Sequence, residues 1–376
     1  MGRDALFMKK ALSLAKRGVG KTHPNPYVGS LLVCGDRIVG QGYHRGFGLP
    51  HAEVEAMLDF KKRKEVKNIG MEDFTLYCTL EPCNHYGKTS PCTEAIISHK
   101  PLIKRVVIGV MDPNPLVSGK GMKRLSSSGI EISVDVLENS CKELNEDYFK
   151  WVHKKIPYVV LKAAITIDGK IAARDGSSKW ISSKDSLPFA HRLRARADAI
   201  MVGVNTVIKD NPKLTARDRH DRIIKEPLRV VLDSGLKIPT TSIVVNVDYA
   251  KKTWIFCDFA HDDQKRRYLE SRGVKVFPVN KALDRDGLDI HTILEVLGKA
   301  DIVNLLVEGG GRVLTNFVKH QLYDTIFVGI APKILGSSGM SVFGDLDISN
   351  IDQALRLEFV HLKHKESDIL VGLRRS

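Results

Sequence analysis

The chain lacks the cysteine density of a disulfide-stapled scaffold. Six cysteines spread unevenly over 376 residues point instead to a reducing compartment in which some thiols serve as metal ligands. No run approaches about eighteen uninterrupted apolar residues, so no segment reads as a membrane span. The opening stretch MGRDALFMKKALSLAKRG has no continuous apolar core of a targeting signal, because Lys9, Lys10, Lys16 and Arg17 interrupt it. Its Leu6, Met8, Leu12 and Ala15 fall at roughly helical spacing and predict an amphipathic surface helix. Also missing are internal repeats, low-complexity segments, an Arg-rich tail and an aromatic–glycine RNA-binding pattern. These absences predict a cytoplasmic protein with neither membrane nor nucleic acid as a partner.

Charge is present in excess. Lys and Arg total 58 against 44 Asp and Glu, a net +14. Such a balance is compatible with nucleic acid, anionic lipid or small phosphorylated ligands. The basic residues are dispersed, as in FKKRK (60–64) and KHK (363–365), which reads as a solvated basic surface.

The length favours two domains. VGSLLVCGDRIVG (28–40) predicts a β-hairpin around Gly35-Asp36. HAEVEAMLDFKKRK predicts a helix, DFTLYCTL a strand, CTEAIISHK a helix and RVVIGV a buried strand; a helix and a strand follow in GMKRLSSSGIEISVDV. A second series begins after the polar KELNED, with YVVLKAAITIDGKIA, DAIMVGVNT, LRVVLDS, KTWIFC, VKVFPV, DIVNLLV, YDTIFVGIAPKILG and DILVGLRR as strands. Strands alternating with helices predict an α/β layer fold. The domain boundary is expected near residue 145, giving domains of 1–145 and 146–376.

Within the first series, HAEVEA (51–56) precedes CTLEPCNHYGKTSPC (78–92). His51, Cys83 and Cys92 make a three-ligand zinc set that leaves a fourth position for water. Glu53, two residues beyond the histidine, suits a carboxylate that handles protons rather than metal. A closed structural zinc site would need a fourth ligand, for which Cys78 and His85 are the candidates. The H-x-E…P-C arrangement resembles the zinc-dependent nucleobase deaminases, whose signature ends P-C-x-x-C. Here eight residues, NHYGKTSP, separate the cysteines, which suggests an inserted loop facing the substrate.

Eight motifs in order resemble one family, the bifunctional deaminase–reductases of riboflavin biosynthesis. THPNPYVGSLLV, GYHRGFGLPHAEVEA, YCTLEPCNHYGKTSPC and MDPNPLVSGKG match its deaminase half; LKAAITIDGKIAARDGSSKWIS, GVNTVIKDNPKLTAR, VEGGGRVLTNF and APKILG match its reductase half. The resemblance implies an N-terminal cytidine-deaminase-like zinc domain followed by a dihydrofolate-reductase-like domain. It implies Zn²⁺ and NADPH as cofactors and a phosphorylated pyrimidine as substrate: deamination first, then reduction of the ribosyl group to ribityl. It places Asn25, His44, Glu81 and His85 at the deaminase pocket. It sets NADPH against Ala164, Ser178, Trp180, Thr206, Asp210, Ser234 and the run Gly310, Gly311, Arg312, Val313, Leu314, Thr315 and Asn316. Substrate falls to Arg194, Leu214, Arg217 and Glu308, the two arginines as phosphate holders. Lys162 lies in the apolar VVLKAAI, where a buried ammonium needs a partner such as a cofactor hydroxyl or phosphate. VEGGGR joins a strand to a helix, and its glycines would let backbone N–H groups approach a phosphate. It is not a G-x-G-x-x-G fingerprint, so no Rossmann domain is expected. A homo-oligomer, dimer or tetramer, is the expected assembly. The alternative is an RNA base deaminase with a basic binding domain.

Overall fold

The computed structural model describes residues 2–63, 73–88, 90–99, 102–179, 181–282 and 287–375. They divide into two units, Met1–Lys155 and Ile156–Ser376.

The first unit runs α1 (Arg3–Ala15), β1 (Gly29–Cys34), β2 (Arg37–Tyr43), α2 (Ala52–Lys62), β3 (Phe74–Cys78), α3 (Cys92–Ser98), β4 (Ile103–Ile108), α4 (Lys120–Ser127), β5 (Glu131–Ser133), α5 (Glu138–Leu144) and α6 (Glu146–Lys154). Its sheet has the order β2-β1-β3-β4-β5. The expected hairpin forms, with Cys34 opposite Arg37. Every residue of β1 is buried because helices cover both sheet faces, which is why GSLLVC reads as a continuous run rather than an alternation. Glycines set the closeness of that cover. A Cβ on Gly40 would lie 2.3 Å from the Ala56 carbonyl oxygen, and one on Gly42 would lie 2.4 Å from that of Ala52. Only glycine lets α2 lie so near β2, and α2 carries the first catalytic candidates on its leading turn.

The boundary falls ten residues later than expected. KELNED has the composition of a linker, yet Asn145 and Asp147 are buried. The Asn145 side chain accepts the Tyr27 N–H at 2.7 Å and donates to the Tyr27 carbonyl at 3.0 Å. Asp147 accepts from the Tyr27 hydroxyl. These bonds tie α6 to the first unit, and sequence polarity alone does not distinguish a buried polar tie from a solvated connection.

The second unit runs β6 (Tyr158–Thr166), β7 (Lys170–Ala172), α7 (Leu187–Arg196), β8 (Ala199–Gly203), α8 (Val204–Asp210), β9 (Ala216–Arg217), β10 (Ile223–Lys225), β11 (Leu228–Leu232), α9 (Val247–Ala250), β12 (Thr253–Cys257), α10 (Asp263–Ser271), β13 (Lys275–Pro278), α11 (Ile290–Lys299), β14 (Asn304–Val307), α12 (Gly311–Lys319), β15 (Thr325–Ala331), β16 (Met340–Ser341), β17 (Leu357–Lys365) and β18 (Asp368–Arg375). Nine strands form one sheet in the order β13-β12-β11-β8-β14-β6-β15-β18-β17. The pairings from β13 to β15 are parallel, whereas β18 and β17 run antiparallel. An apolar core lies on each sheet face. Strand β14 enters the sheet between β8 and β6, although it follows both in the chain. Such a change of winding opens a crevice at the carboxyl ends of parallel strands. No helix among the described residues is long and apolar enough to cross a membrane.

Candidate functional sites

In the first unit, three separate elements deliver the metal-type ligands. His51 is the N-cap of α2, Cys83 follows the Pro82 turn after β3, and Cys92 opens α3. His51 Nδ1 lies 3.5 Å from Cys83 Sγ and 3.3 Å from Cys92 Sγ. The three ligand atoms all lie within 4.8 Å of one another. Tetrahedral zinc, with Zn–N of about 2.0–2.1 Å and Zn–S of about 2.3 Å, requires N···S separations of about 3.6 Å. The donor set therefore fits zinc. Cys78 and His85 do not join it: among the described residues the cluster has three members, and Cys78 is buried against the Ser30 hydroxyl.

Glu53 sits on the first turn of α2, 3% exposed, and its Oε2 has no hydrogen-bond partner. Burial pushes its carboxyl up to about 7, against the opposing pull of His51. A hydrogen bond from Cys92 holds the Cys83 thiol well below its ordinary range. The neighbouring Cys83 and burial push Cys92 up.

A cavity of about 260 Å³ opens beside these groups, lined by Asn25, Phe47, Gly48, Leu49, His51, Cys83, His85, Gly87 and Lys88. Asn25 and His85, both expected at the deaminase pocket, are among the lining residues. His44 lies behind Asn25: its Nδ1 meets the Pro50 carbonyl at 3.2 Å and its Nε2 meets Asn25 Nδ2 at 3.1 Å. If Nδ1 donates to that carbonyl, Nε2 must accept from the Asn25 amide. Burial lowers the His44 pKa and favours this neutral ring. Glu81 is absent from the lining. Its carboxylate accepts the backbone N–H groups of Asp112, Gly119, Gly121 and Met122, so it braces the start of α4 instead of facing the cavity. Lys88, with its ammonium 3.9 Å from the Phe47 ring centroid, also lines the cavity, and residue type alone does not single it out in so lysine-rich a sequence. The signal was the length of the inserted loop that carries it.

In the second unit, a cleft of about 770 Å³ lies at the carboxyl ends of β8, β11 and β14 and along β6. It is lined by the candidates Ala164, Ser178, Thr206, Asp210, Ser234, Gly310, Gly311, Arg312, Val313, Leu314 and Asn316, together with Lys162 and Glu308. Trp180 lies outside the described residues. Thr315 is buried off the cleft; its hydroxyl donates to the Gly311 carbonyl and accepts the Gly344 N–H. Gly310 is the N-cap of α12, so the N-terminal turn of that helix, with its N–H groups, borders the cleft. A Cβ on Gly310 would meet nothing nearer than Thr206 Oγ1 at 4.0 Å. The glycine thus leaves open space over those donors.

The three remaining substrate candidates are not among the residues that line this cleft. Arg194 donates to both Glu308 oxygens, at 2.9 and 2.7 Å, and to the Thr215 carbonyl at 3.2 Å. Burial alone would raise the Glu308 pKa, but the Arg194 guanidinium outweighs it and holds the carboxyl at about 2. Arg217 pairs with the exposed Asp221, and Leu214 is buried at φ +53°.

Comparison with known proteins assigns a family to each unit. The family described as "Cytidine and deoxycytidylate deaminase zinc-binding region" matches residues 1–110, and the RibD C-terminal domain matches residues 157–371. The chain is 44% identical to the riboflavin biosynthesis protein RibD of Aquifex aeolicus, over 99% of this chain and 98% of the relative. It is 33% identical to the Escherichia coli K12 protein of the same name, over 99% of both chains. Among solved structures, Acinetobacter baumannii RibD superposes with a TM-score of 0.86 at 31% identity, covering 100% of this chain and 99% of that one. A Thermotoga maritima protein described as a diaminohydroxyphosphoribosylaminopyrimidine deaminase/5-amino-6-(5-phosphoribosylamino)uracil reductase gives 0.82 at 35% identity, with the same coverage.

Proposed function

The chain belongs to the RibD family of bifunctional riboflavin-biosynthesis proteins, and from that membership we propose how its residues divide two reactions. The first unit hydrolyses an exocyclic amine from a diaminopyrimidinone that carries a phosphorylated ribosylamino group. The second reduces the ribosyl group of the deaminated product to ribityl with NADPH. The observation that carries the proposal is the convergence of His51, Cys83 and Cys92 beside a buried carboxylate with one unpartnered oxygen.

Zinc held by those three side chains would supply a Lewis acid that brings the pKa of water to about 7. Glu53 carries two protons in turn: the first passes from the attacking water to the ring nitrogen, and the second from the hydroxyl so added at the ring carbon to the amine, which departs as ammonia. Asn25, held by neutral His44, presents its amide to the pyrimidine edge, and His85 lines the same cavity. Lys88 supplies an ammonium for the substrate phosphate. Glu81 acts indirectly, by fixing the backbone around Gly119–Met122.

In the second unit, the first-turn N–H groups of α12 hold cofactor phosphate, with Thr206, Asp210 and Ser234 along the cleft. Lys162 faces the reacting sugar and cofactor beside Glu308. Arg194 keeps two of its five N–H bonds for a ligand once Glu308 and Thr215 are served, so it contributes to the substrate side together with Leu214 and Arg217. The reading includes a cytoplasmic location, which six free thiols support, and a homo-oligomer, which sedimentation of the full chain measures. To test the reactions, purified protein is incubated with the diaminopyrimidinone phosphate, with and without NADPH, and the products are followed by mass. Deaminated product alone is expected without NADPH, and the ribityl product with it. Recovery of unchanged substrate under both conditions would refute the proposal.

A further inference from the structure

We infer that Lys209 is a phosphate-contacting side chain of the second cleft, an assignment that rests on reading this cleft as the cofactor and substrate site. Its helix, α8, flanks the start of α12: a Cβ on Gly310 would lie 4.0 Å from Thr206 Oγ1. Lys209 follows Thr206 by three residues and so shares its helix face. Both line the cleft.

The facing turn is shaped around the ammonium. It is closed by the Gly176 N–H on the Ala173 carbonyl and the Ala173 N–H on the Ser177 carbonyl. Gly176 has φ +82°, and a Cβ there would stand 2.6 Å from Lys209 Nζ. Glycine at this position supplies the backbone conformation and leaves the space that the ammonium occupies.

Charge accounting supports a ligand. The cleft is lined by four cations, Lys162, Lys179, Lys209 and Arg312, and by two carboxylates, Asp210 and Glu308. Glu308 is already matched by Arg194. Asp175 of the facing turn feels the Lys209 charge, but its carboxylate accepts the Ser177 N–H and hydroxyl, and no salt bridge joins it to Lys209 among the described residues. An exposed, flexible ammonium that lines the same cleft as the start of α12 is suited to a phosphoryl oxygen, which it meets as a point charge. The phosphoryl group belongs to the dinucleotide or to the phosphorylated substrate, and the binding chemistry is the same for both.

The test compares the wild-type full chain with Lys209→Met, which keeps length and loses charge, and Lys209→Arg, which restores charge. NADPH dissociation constants are read by fluorescence titration, and KM is measured for the deaminated phosphorylated substrate. Lys209→Met should weaken one of the two ligands about tenfold, the lower end for one charge-assisted hydrogen bond. Lys209→Arg should recover most of that loss. The wild type should also lose affinity for the same ligand with added salt more steeply than Lys209→Met. A change confined to NADPH assigns the contact to the cofactor, and one confined to substrate KM assigns it to the substrate phosphate. Unchanged constants for both ligands, in protein whose wild type binds NADPH, would overturn the inference and leave the cleft reading intact. A wild type that fails to bind NADPH would remove the cleft reading and the inference with it.

Discussion

The two sites differ in how they are assembled. The deaminase site is compact in sequence as well as in space: His51, Glu53, Cys83 and Cys92 fall within about forty residues, and α2 and α3 each begin on a ligand. The reductase cleft gathers its lining from β6, the ends of β8, β11 and β14, both ends of α8 and the start of α12. One site demands a fixed set of donor atoms, which few residue types can supply. The other demands mainly backbone shape and well-spaced charges, which many sequences can supply. The first should therefore fail completely when one side chain is removed, whereas the second should fail by degrees.

The largest effect is expected at the ligands. Cys83→Ala or Cys92→Ala should lose zinc and deamination together, as metal analysis and the first half-reaction would register. Reduction of already deaminated substrate should persist, because the lining of the cleft among the described residues comes from the other unit. Loss of both activities in folded protein would break the contrast. Next comes Arg194→Ala, which leaves the Glu308 carboxylate buried without its partner. Stranding one member of a buried pair costs about 3–5 kcal/mol, so the denaturant midpoint of the reductase unit should fall while that of the deaminase unit holds.

Gly310→Val should be milder and confined to the cofactor. The added side chain meets little protein, so the fold tolerates it, but it stands over the α12 donors. Loss of one or two charge-assisted bonds predicts an NADPH KM higher by about 10–100-fold, read by steady-state kinetics. An unchanged KM would move the phosphate away from α12. Smallest is Arg217→Ala. Its partner Asp221 is exposed, and such pairs contribute about 0–1 kcal/mol. Thermal stability should hardly move, while substrate KM should rise if the arginine leaves Asp221 for phosphate.

The same contrast decides what could be read from the chain. The convergence of His51, Cys83 and Cys92 was legible because the residue types and order that a zinc site needs are chemically constrained. The hairpin at Gly35, the strands β3, β4, β11 and β12, and the turn into α12 were legible from apolar runs broken by glycine. The long strand β17 was not. All its interior residues are exposed, so it carries no burial pattern and forms by pairing with β18. Helix α8 was not legible because the apolar DAIMVGV reads as one strand running past Gly203, where β8 ends and α8 begins, and Lys209 lies on that helix. Glu81 and Arg194 show a different limit. Residue type suggested a pocket carboxylate and a phosphate holder, but hydrogen-bond partners distant in sequence claim most of their capacity.

The most direct measurement is the metal content of Glu53→Gln, taken alongside both half-reactions on the same preparation. Zinc should stay at the wild-type level, since three other side chains hold it. Deamination should fall by about 10²–10⁴-fold, the usual contribution of general acid–base catalysis, and reduction of deaminated substrate should be unchanged. Loss of zinc with the carboxylate, or a parallel loss of reduction, would contradict a metal site served by Glu53 and independent of the cofactor cleft.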